Sequence, residues 1–313
     1  HQRFFEDYYF PENISKENID IYHMPQNGIG LSTNISCKKI VTIHDLIPYV
    51  MPETVGRGYL LKFLKEMPII IGNSDGIITV SEFSKRDILK YFPIDESKIF
   101  VTPLAADAKY TPLDKLHCKN FLEKAYNLNN PFLLYLGGFS ERKNVASAIT
   151  AFSKVYKDLS ENYNLVIVGD YRDSGQKLMK LTNELNMLSH VIFAGFVPEE
   201  HLPLFYNSCD AIIYPSFYEG FGLPPLEAMN CGTPVIASNL TSIPEVVGDT
   251  GILINPYDIK DISLAIGTLL SSENLRSELS AKALLRAKQF SWQNTASRTL
   301  KVYESVYHNA STS

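Results

Sequence analysis

The chain has 313 residues, 45% of them hydrophobic and 20% charged, with a formal net charge of -5. That is enough chain for two domains with a sizeable core, and the balance leaves no global positive field to gather nucleic acid or an anionic membrane. No apolar run approaches the ~18 residues of a membrane span, and Cys37, Cys118, Cys209 and Cys231 form no C-x2-C pair, which excludes a zinc knuckle or a disulfide framework and fits a reducing cytoplasm.

Residues 1–18 are aromatic and charged without clear periodicity, and the chain does not begin with Met. Residues 19–23 predict a short strand, and 38–43 a second that ends in His44-Asp45. His44 therefore stands at the carboxyl end of a strand, where open parallel sheets present groups to ligands. A lone histidine there is more often satisfied by a neighbouring backbone carbonyl. Residues 57–71 mix Leu and Phe with Lys at helical spacing and predict a surface helix; a basic amphipathic helix of this kind is also the form that rests on a membrane surface. Residues 77–80 predict a third strand, Ser81 caps a helix over 82–91, and 99–102 predict a fourth strand. Strands alternating with helices imply a parallel sheet.

Residues 103–112 are bracketed by prolines and read as a linker. Six strand candidates follow, at 132–136, 165–168, 191–194, 211–214, 235–237 and 252–254, with helical patterns between most of them: a complete doubly wound domain. The first of these strands ends in Gly137-Gly138-Phe139-Ser140-Glu141-Arg142-Lys143-Asn144. A glycine-rich turn into a helix with adjacent cations suits a diphosphate, because amides and helix dipole hold the oxygens while Arg142 and Lys143 neutralise a leaving group. As a purely structural pair these cations would oppose the dipole. Pro198 opens a helix after Gly195-Phe196-Val197. After the fourth strand, Glu219-Gly220-Phe221-Gly222-Leu223 lies in the loop at its carboxyl end, and Pro224 and Pro225 open a helix that carries Glu227. Gly220 and Gly222 let amides approach a ligand, and the two carboxylates, separated by seven residues, are suited to accept hydrogen bonds from hydroxyls. Taken alone, the spacing favours a plainer explanation, in which Glu227 complements a helix dipole and Glu219 is solvated. Two amphipathic helices span 258–290, and a last helix starts at Ser291-Trp292 and ends near His308, with Trp292 expected to pack at a domain junction.

The surrounding residues change the weight of these motifs. The stretch 214–238, containing Tyr214-Pro215-Ser216, Tyr218-Glu219-Gly220-Phe221-Gly222-Leu223-Pro224, Leu226-Glu227-Ala228-Met229 and Cys231-Gly232-Thr233-Pro234, resembles the signature of the retaining nucleotide-sugar glycosyltransferases of family four. Within that family it is similar to the group 1 enzymes of bacterial polysaccharide and mannosyl transfer. Thr42-Ile43-His44-Asp45-Leu46-Ile47-Pro48 resembles the amino-domain motif of the same family. The resemblance covers about 19–307 and implies an α/β protein of GT-B fold, with two Rossmann-like domains facing each other across a cleft. The first, residues 1–107 with the returning helix 292–313, would take the acceptor; the second, 108–291, would bind the nucleotide sugar. It further implies that Arg142 and Lys143 hold the leaving diphosphate, that Glu219, the amides of Gly220, Phe221, Gly222 and Leu223, and His44 address the donor sugar, that Glu227 binds the ribose, and that the backbone of Val197 pairs with the base. Gly138 stands where family members commonly carry an Arg, a duty the resemblance transfers to Arg142.

The implied reaction is metal-independent and needs no cofactor: retaining transfer of a hexose from a nucleoside-diphosphate sugar to a hydroxyl of a glycan or lipid-linked acceptor. GDP-mannose is favoured slightly over UDP-glucose. No D-x-D lies in a suitable loop. A cytoplasmic protein is expected, with peripheral contact at the inner membrane face and no nucleic-acid partner. The four Asn-x-Ser/Thr triplets, at Asn13, Asn34, Asn239 and Asn309, are read as chance. Family members open with a further strand, a glycine-rich loop and a helix before the strand matching 19–23, so the first domain reads as incomplete, with an exposed sheet edge through which the chain would pair with another copy. A different class is a non-catalytic partner subunit that keeps the fold to bind nucleotide; the full set His44, Arg142, Lys143, Glu219 and Glu227 argues against it. An epimerase or a phosphorylase of similar architecture fits less well.

Overall fold

A computed structural model describes residues 9–32, 34–169 and 175–308, so the first eight residues and the Asn309 triplet lie outside it. The chain divides into two units, 1–104 with 292–313 and 105–291.

In the first unit a short helix, α1 (Phe10–Lys16), forms where the sequence shows no periodicity; a proline in its first turn and the Glu12–Lys16 pair across one turn, at 2.6 Å, support it locally. Strands β1 (Ile21–Met24), β2 (Lys38–Ile43), β3 (Gly76–Thr79) and β4 (Ile99–Val101) follow and form one parallel sheet in the order β1-β2-β3-β4. Between them lie α2 (Ile47–Val50), α3 (Arg57–Asn73) and α4 (Glu82–Tyr91). The Ser81 hydroxyl caps α4 by accepting from the Ser84 amide at 3.0 Å. Alternate residues of a strand face opposite sides of a sheet. Val41, Ile43 and Ile77 accordingly pack with Phe63, Met67, Ile70 and Ile88 of α3 and α4. Ile40 and Ile78 pack with Val302 and Val306 of the last helix. That helix seats closely because residue 76 is glycine: a Cβ there would lie 2.8 Å from Val306 Cγ2. Trp292, expected to pack, is 51% exposed, since it precedes the buried stripe of its helix by ten residues.

The second unit is a six-stranded parallel sheet whose strands carry almost continuous apolar runs, as burial on both faces requires. Its elements in chain order are α5 (Lys115–Tyr126), β5 (Phe132–Leu136), α6 (Val145–Val155), β6 (Asn164–Val168), α7 (Gly175–Glu184), β7 (Val191–Gly195), α8 (Leu202–Ser208), β8 (Ala211–Tyr214), α9 (Leu223–Asn230), β9 (Val235–Ser238), α10 (Ile243–Val247), β10 (Ile252–Ile254), α11 (Ile259–Leu270) and α12 (Glu273–Ala287); the last helix of the chain is α13 (Trp292–His308). All six strands expected from sequence are present. Their order is β10-β9-β8-β5-β6-β7, so the chain reverses its winding direction between β5 and β8. The core is built from Leu133, Tyr135, Leu165, Ile167 and Ile213 of the sheet with Ile149, Phe152, Ile262 and Ile266 of α6 and α11. Truncating a buried ring such as Phe152 to Ala would cost about 3–5 kcal/mol. The stretch read as a linker is partly structural: Tyr110 is buried and meets Tyr206 edge to face at 5.6 Å.

Candidate active site

Where two neighbouring strands of an open parallel sheet send their connections to opposite sides, their carboxyl ends leave a crevice. In the second unit that place is between β5 and β8, and the loops at 137–144 and 215–222 leave it. Asn144 ties them together. Its backbone sits at φ +56°, a conformation asparagine tolerates, and its buried Nδ2 donates to Pro215 O at 3.1 Å and Pro256 O at 2.9 Å. The Phe217 amide donates to Arg142 O at 2.9 Å, and Arg142 Nη1 donates to Tyr218 O at 2.5 Å, so the two loops are braced at backbone and side chain alike.

This bracing brings both predicted cations onto a predicted carboxylate. Arg142 Nη1 lies 2.8 Å from Glu219 Oε2 and Lys143 Nζ lies 2.7 Å from Glu219 Oε1. Tyr214, fully buried in β8, donates its hydroxyl to Glu219 Oε1 at 2.9 Å and accepts from Lys143 Nζ at 2.9 Å. Glu219 is only 8% exposed, so it is not the solvated loop residue of the plainer explanation. Its burial by itself would push the carboxyl up, but Lys143 and Arg142 outweigh that and hold it below the usual carboxylate range. The Glu219 backbone is fixed too: its amide donates to Thr241 Oγ1 at 3.2 Å, and Ser242 Oγ lies 2.9 Å from the carbonyls of both Glu219 and Phe221.

The loop then enters α9 through Gly222, at φ +117°; a Cβ there would be strained and would meet Ile243 Cδ1 at 2.7 Å. Phe221 is buried, and it packs edge to face on Phe290 at 5.9 Å, while Gly220 and Leu223 complete the turn at the positive end of the helix. Glu227 lies in the middle of α9, and Tyr206 donates to its Oε2 at 2.8 Å. Burial pushes the Glu227 carboxyl up, with that hydrogen bond and the more distant Lys109 acting against it. Lys109 pairs with Glu199, beyond the loop that follows β7. In that loop Val197 is buried and Phe196 beside it is 79% exposed. Glu219 and Glu227 thus differ: one is held ionised by two cations, the other is pushed up by burial with only Tyr206 and the more distant Lys109 acting against it.

His44 belongs to the first unit. Its Nε2 donates to Pro25 O at 2.9 Å, the carbonyl partner the plainer reading supposes; this also sets the tautomer, with Nδ1 as the acceptor nitrogen. Asn27, at φ +51°, accepts from the His44 amide at 2.9 Å, and Ser84 Oγ donates to His44 O at 3.2 Å. Among the described residues no three His, Cys, Asp or Glu side chains gather as a metal-ligand set, and no helix is long and apolar enough to cross a membrane.

Sequence reasoning missed Tyr214, Asn144, Tyr206 and Ser242. A tyrosine ending an otherwise aliphatic strand at Tyr214 was the available signal for the first, since a buried phenol needs a polar partner. Asn144, directly after two cations and before a helix, was the signal for the second. Tyr206 and Ser242 offered none, because their partners are 21 and 23 residues away.

Comparison with known proteins agrees with this architecture. Residues 119–286 match the family described as glycosyl transferases group 1, and residues 2–110 match glycosyltransferase family 4. The chain is 34% identical over 267 residues to O-antigen chain mannosyltransferase B of Escherichia coli, covering 85% of this chain and 70% of that protein. It is 31% identical over 268 residues to the serotype-specific mannosyltransferase WbdA of the same organism, covering 84% of this chain and 33% of that much longer protein. Among solved structures it is similar to sucrose-phosphate synthase of Thermosynechococcus elongatus, with a TM-score of 0.80 at 23% identity over 96% of this chain and 77% of that one. With a family match over more than half its length, a parallel-sheet unit whose glycine-rich Arg142-Lys143 loop and Glu-x7-Glu loop meet at the switch point, and neighbours of GT-B fold, the chain belongs to the group 1 glycosyl transferases.

Proposed function

We propose that this protein moves a hexose from a nucleoside-diphosphate sugar to a hydroxyl of a glycan or lipid-linked acceptor, with retention at the anomeric carbon, in the building of a cell-surface polysaccharide. The observation that carries it is the convergence of Arg142 and Lys143 on Glu219 at the carboxyl edge between β5 and β8. In this reading the two cations and the positive end of α9 take the diphosphate, and no metal is needed to neutralise it. The bond from the anomeric carbon to the phosphate oxygen breaks. The acceptor hydroxyl attacks on the same face and its proton passes to the departing phosphate, since no side chain of the site stands out as a covalent nucleophile. Glu219 accepts from hydroxyls of the sugar, Glu227 from the ribose, the Val197 backbone pairs with the base, and His44 of the first unit addresses the sugar.

GDP-mannose is the donor we favour, in keeping with the two mannosyltransferase relatives; UDP-glucose is second. We attach two partner readings to this function. Helix α3 leaves Leu61 and Ile69 exposed near the exposed Lys65, which suits peripheral contact with an anionic membrane face, and edge strand β1 offers pairing to a second copy. A donor screen that follows release of nucleoside diphosphate tests the main reading. Release from GDP-mannose in the presence of acceptor supports it; tight nucleotide binding with no turnover for any donor or acceptor would replace it with a nucleotide-binding partner subunit.

A further inference from the structure

Two aromatic rings stand at the rim of this site without a part in the donor scheme. Phe217 and Tyr257 lie face to face, with ring centroids 4.6 Å apart and planes 20° from parallel. Tyr257 is 70% exposed and Phe217 half-buried beneath it. Neither is on a loose loop. The Phe217 amide is held by Arg142 O, and the turn carrying Tyr257 is fastened at each step: Asn255 N donates to Asp261 Oδ2 at 2.7 Å, Tyr257 N to Asn255 Oδ1 at 3.1 Å, and Pro256 O accepts from Asn144. The same Asn144 that aligns Arg142 and Lys143 therefore also sets the shelf, and Phe217 is two residues from Glu219.

A preorganised, solvent-facing aromatic stack costs hydrophobic exposure that folding alone does not call for. Its flat apolar face matches the axial C–H face of a pyranose, whose hydroxyls stay in water at the ring edge, and a rigid ring loses little entropy on contact. The two ring faces themselves carry no charge. The position of the stack beside the loop assigned to the donor sugar makes a sugar ring of the acceptor the fitting occupant. We propose that Phe217 and Tyr257 form a carbohydrate subsite on which a pyranose ring of the acceptor glycan stacks, near but separate from the donor contacts. The proposal rests on the glycosyl-transfer reading above.

The test is calorimetric and NMR titration of an α-linked mannotriose into the nucleoside-diphosphate-saturated protein, for the wild type, Tyr257→Phe and Tyr257→Ala. Stacking predicts that Tyr257→Phe binds like the wild type and that Tyr257→Ala binds about three- to tenfold more weakly, with nucleoside-diphosphate affinity unchanged in both. A Tyr257→Phe loss equal to that of Tyr257→Ala would mean the hydroxyl is the contact and overturn the stack. Equal binding in all three proteins, or no mannotriose binding to the wild type, would overturn the subsite while leaving transfer intact. Failure of the wild type to bind any nucleoside diphosphate would instead sink the transferase reading on which it rests.

Discussion

Replacing Glu219 by Gln separates the two roles proposed for this carboxylate. In the free protein its charge is shared between Arg142 and Lys143 at 2.8 and 2.7 Å, and none of the three side chains is more than 16% exposed. A diphosphate must compete with that carboxylate for the same two cations. At an effective dielectric near 20, a unit charge about 4 Å away is worth roughly 4 kcal/mol, most of which is offset by the desolvation each ion has already undergone. A net gain of about 1.4 kcal/mol for diphosphate binding, or about tenfold, is the expected remainder once the competing charge is gone. Transfer should move the other way: a sugar hydroxyl that loses a charged acceptor loses roughly 1.5–3 kcal/mol, about ten- to a hundredfold in rate. Glu219→Gln should also melt at lower temperature, because two buried cations lose their counter-charge, and saturating nucleoside diphosphate should restore part of the difference. Calorimetry with GDP and UDP, steady-state kinetics and melting with and without nucleotide read these three changes. Nucleotide affinity falling in step with turnover would refute the competition.

Glu227→Ala is expected to weaken donor binding about ten- to a hundredfold with a smaller effect on turnover, and Tyr206→Phe to push the Glu227 carboxyl further up by removing a donated hydrogen bond, so that nucleotide binding is lost at a higher pH as the solution is acidified; titration calorimetry across pH checks both. Because the Glu219 carboxyl is held below its ordinary 4.5, it contributes stability that is present above that pH and lost as pH falls through its folded value. Acid unfolding should therefore be shallower in Glu219→Gln than in the wild type, and identical acid limbs in denaturant titrations would contradict the ion pairs. Asn144→Ala removes two buried hydrogen bonds and an asparagine suited to φ +56°, so a loss of about 1–3 kcal/mol in unfolding free energy is expected, together with weaker nucleoside-diphosphate binding; unchanged binding would show that the loop holds its cations without the tie.

Much of this protein is determined locally. The six strands of the second unit are legible because a strand covered on both faces must be apolar throughout, as 132–136 and 211–214 are. Helix starts at Ser81 and Pro224 are legible because capping and proline chemistry act within one turn. The roles suggested for Arg142, Lys143, Glu219 and Glu227 arise from motif chemistry at short range. What no local pattern carries is the order of the strands: that β8 lies beside β5, with three helices and two strands between them in the chain, follows only from packing the whole sheet, and it is this adjacency that brings residues 142 and 143 within 3 Å of residue 219. The state of the carboxylates is likewise a tertiary result. Glu219 and Glu227 look alike in sequence, with seven residues between them in one loop and helix, yet one is buried against two cations and Tyr214 while the other faces Tyr206 with Lys109 engaged by Glu199, so their ionisation is driven in opposite directions. Burial and long-range charge set that difference, and neither has a local signature.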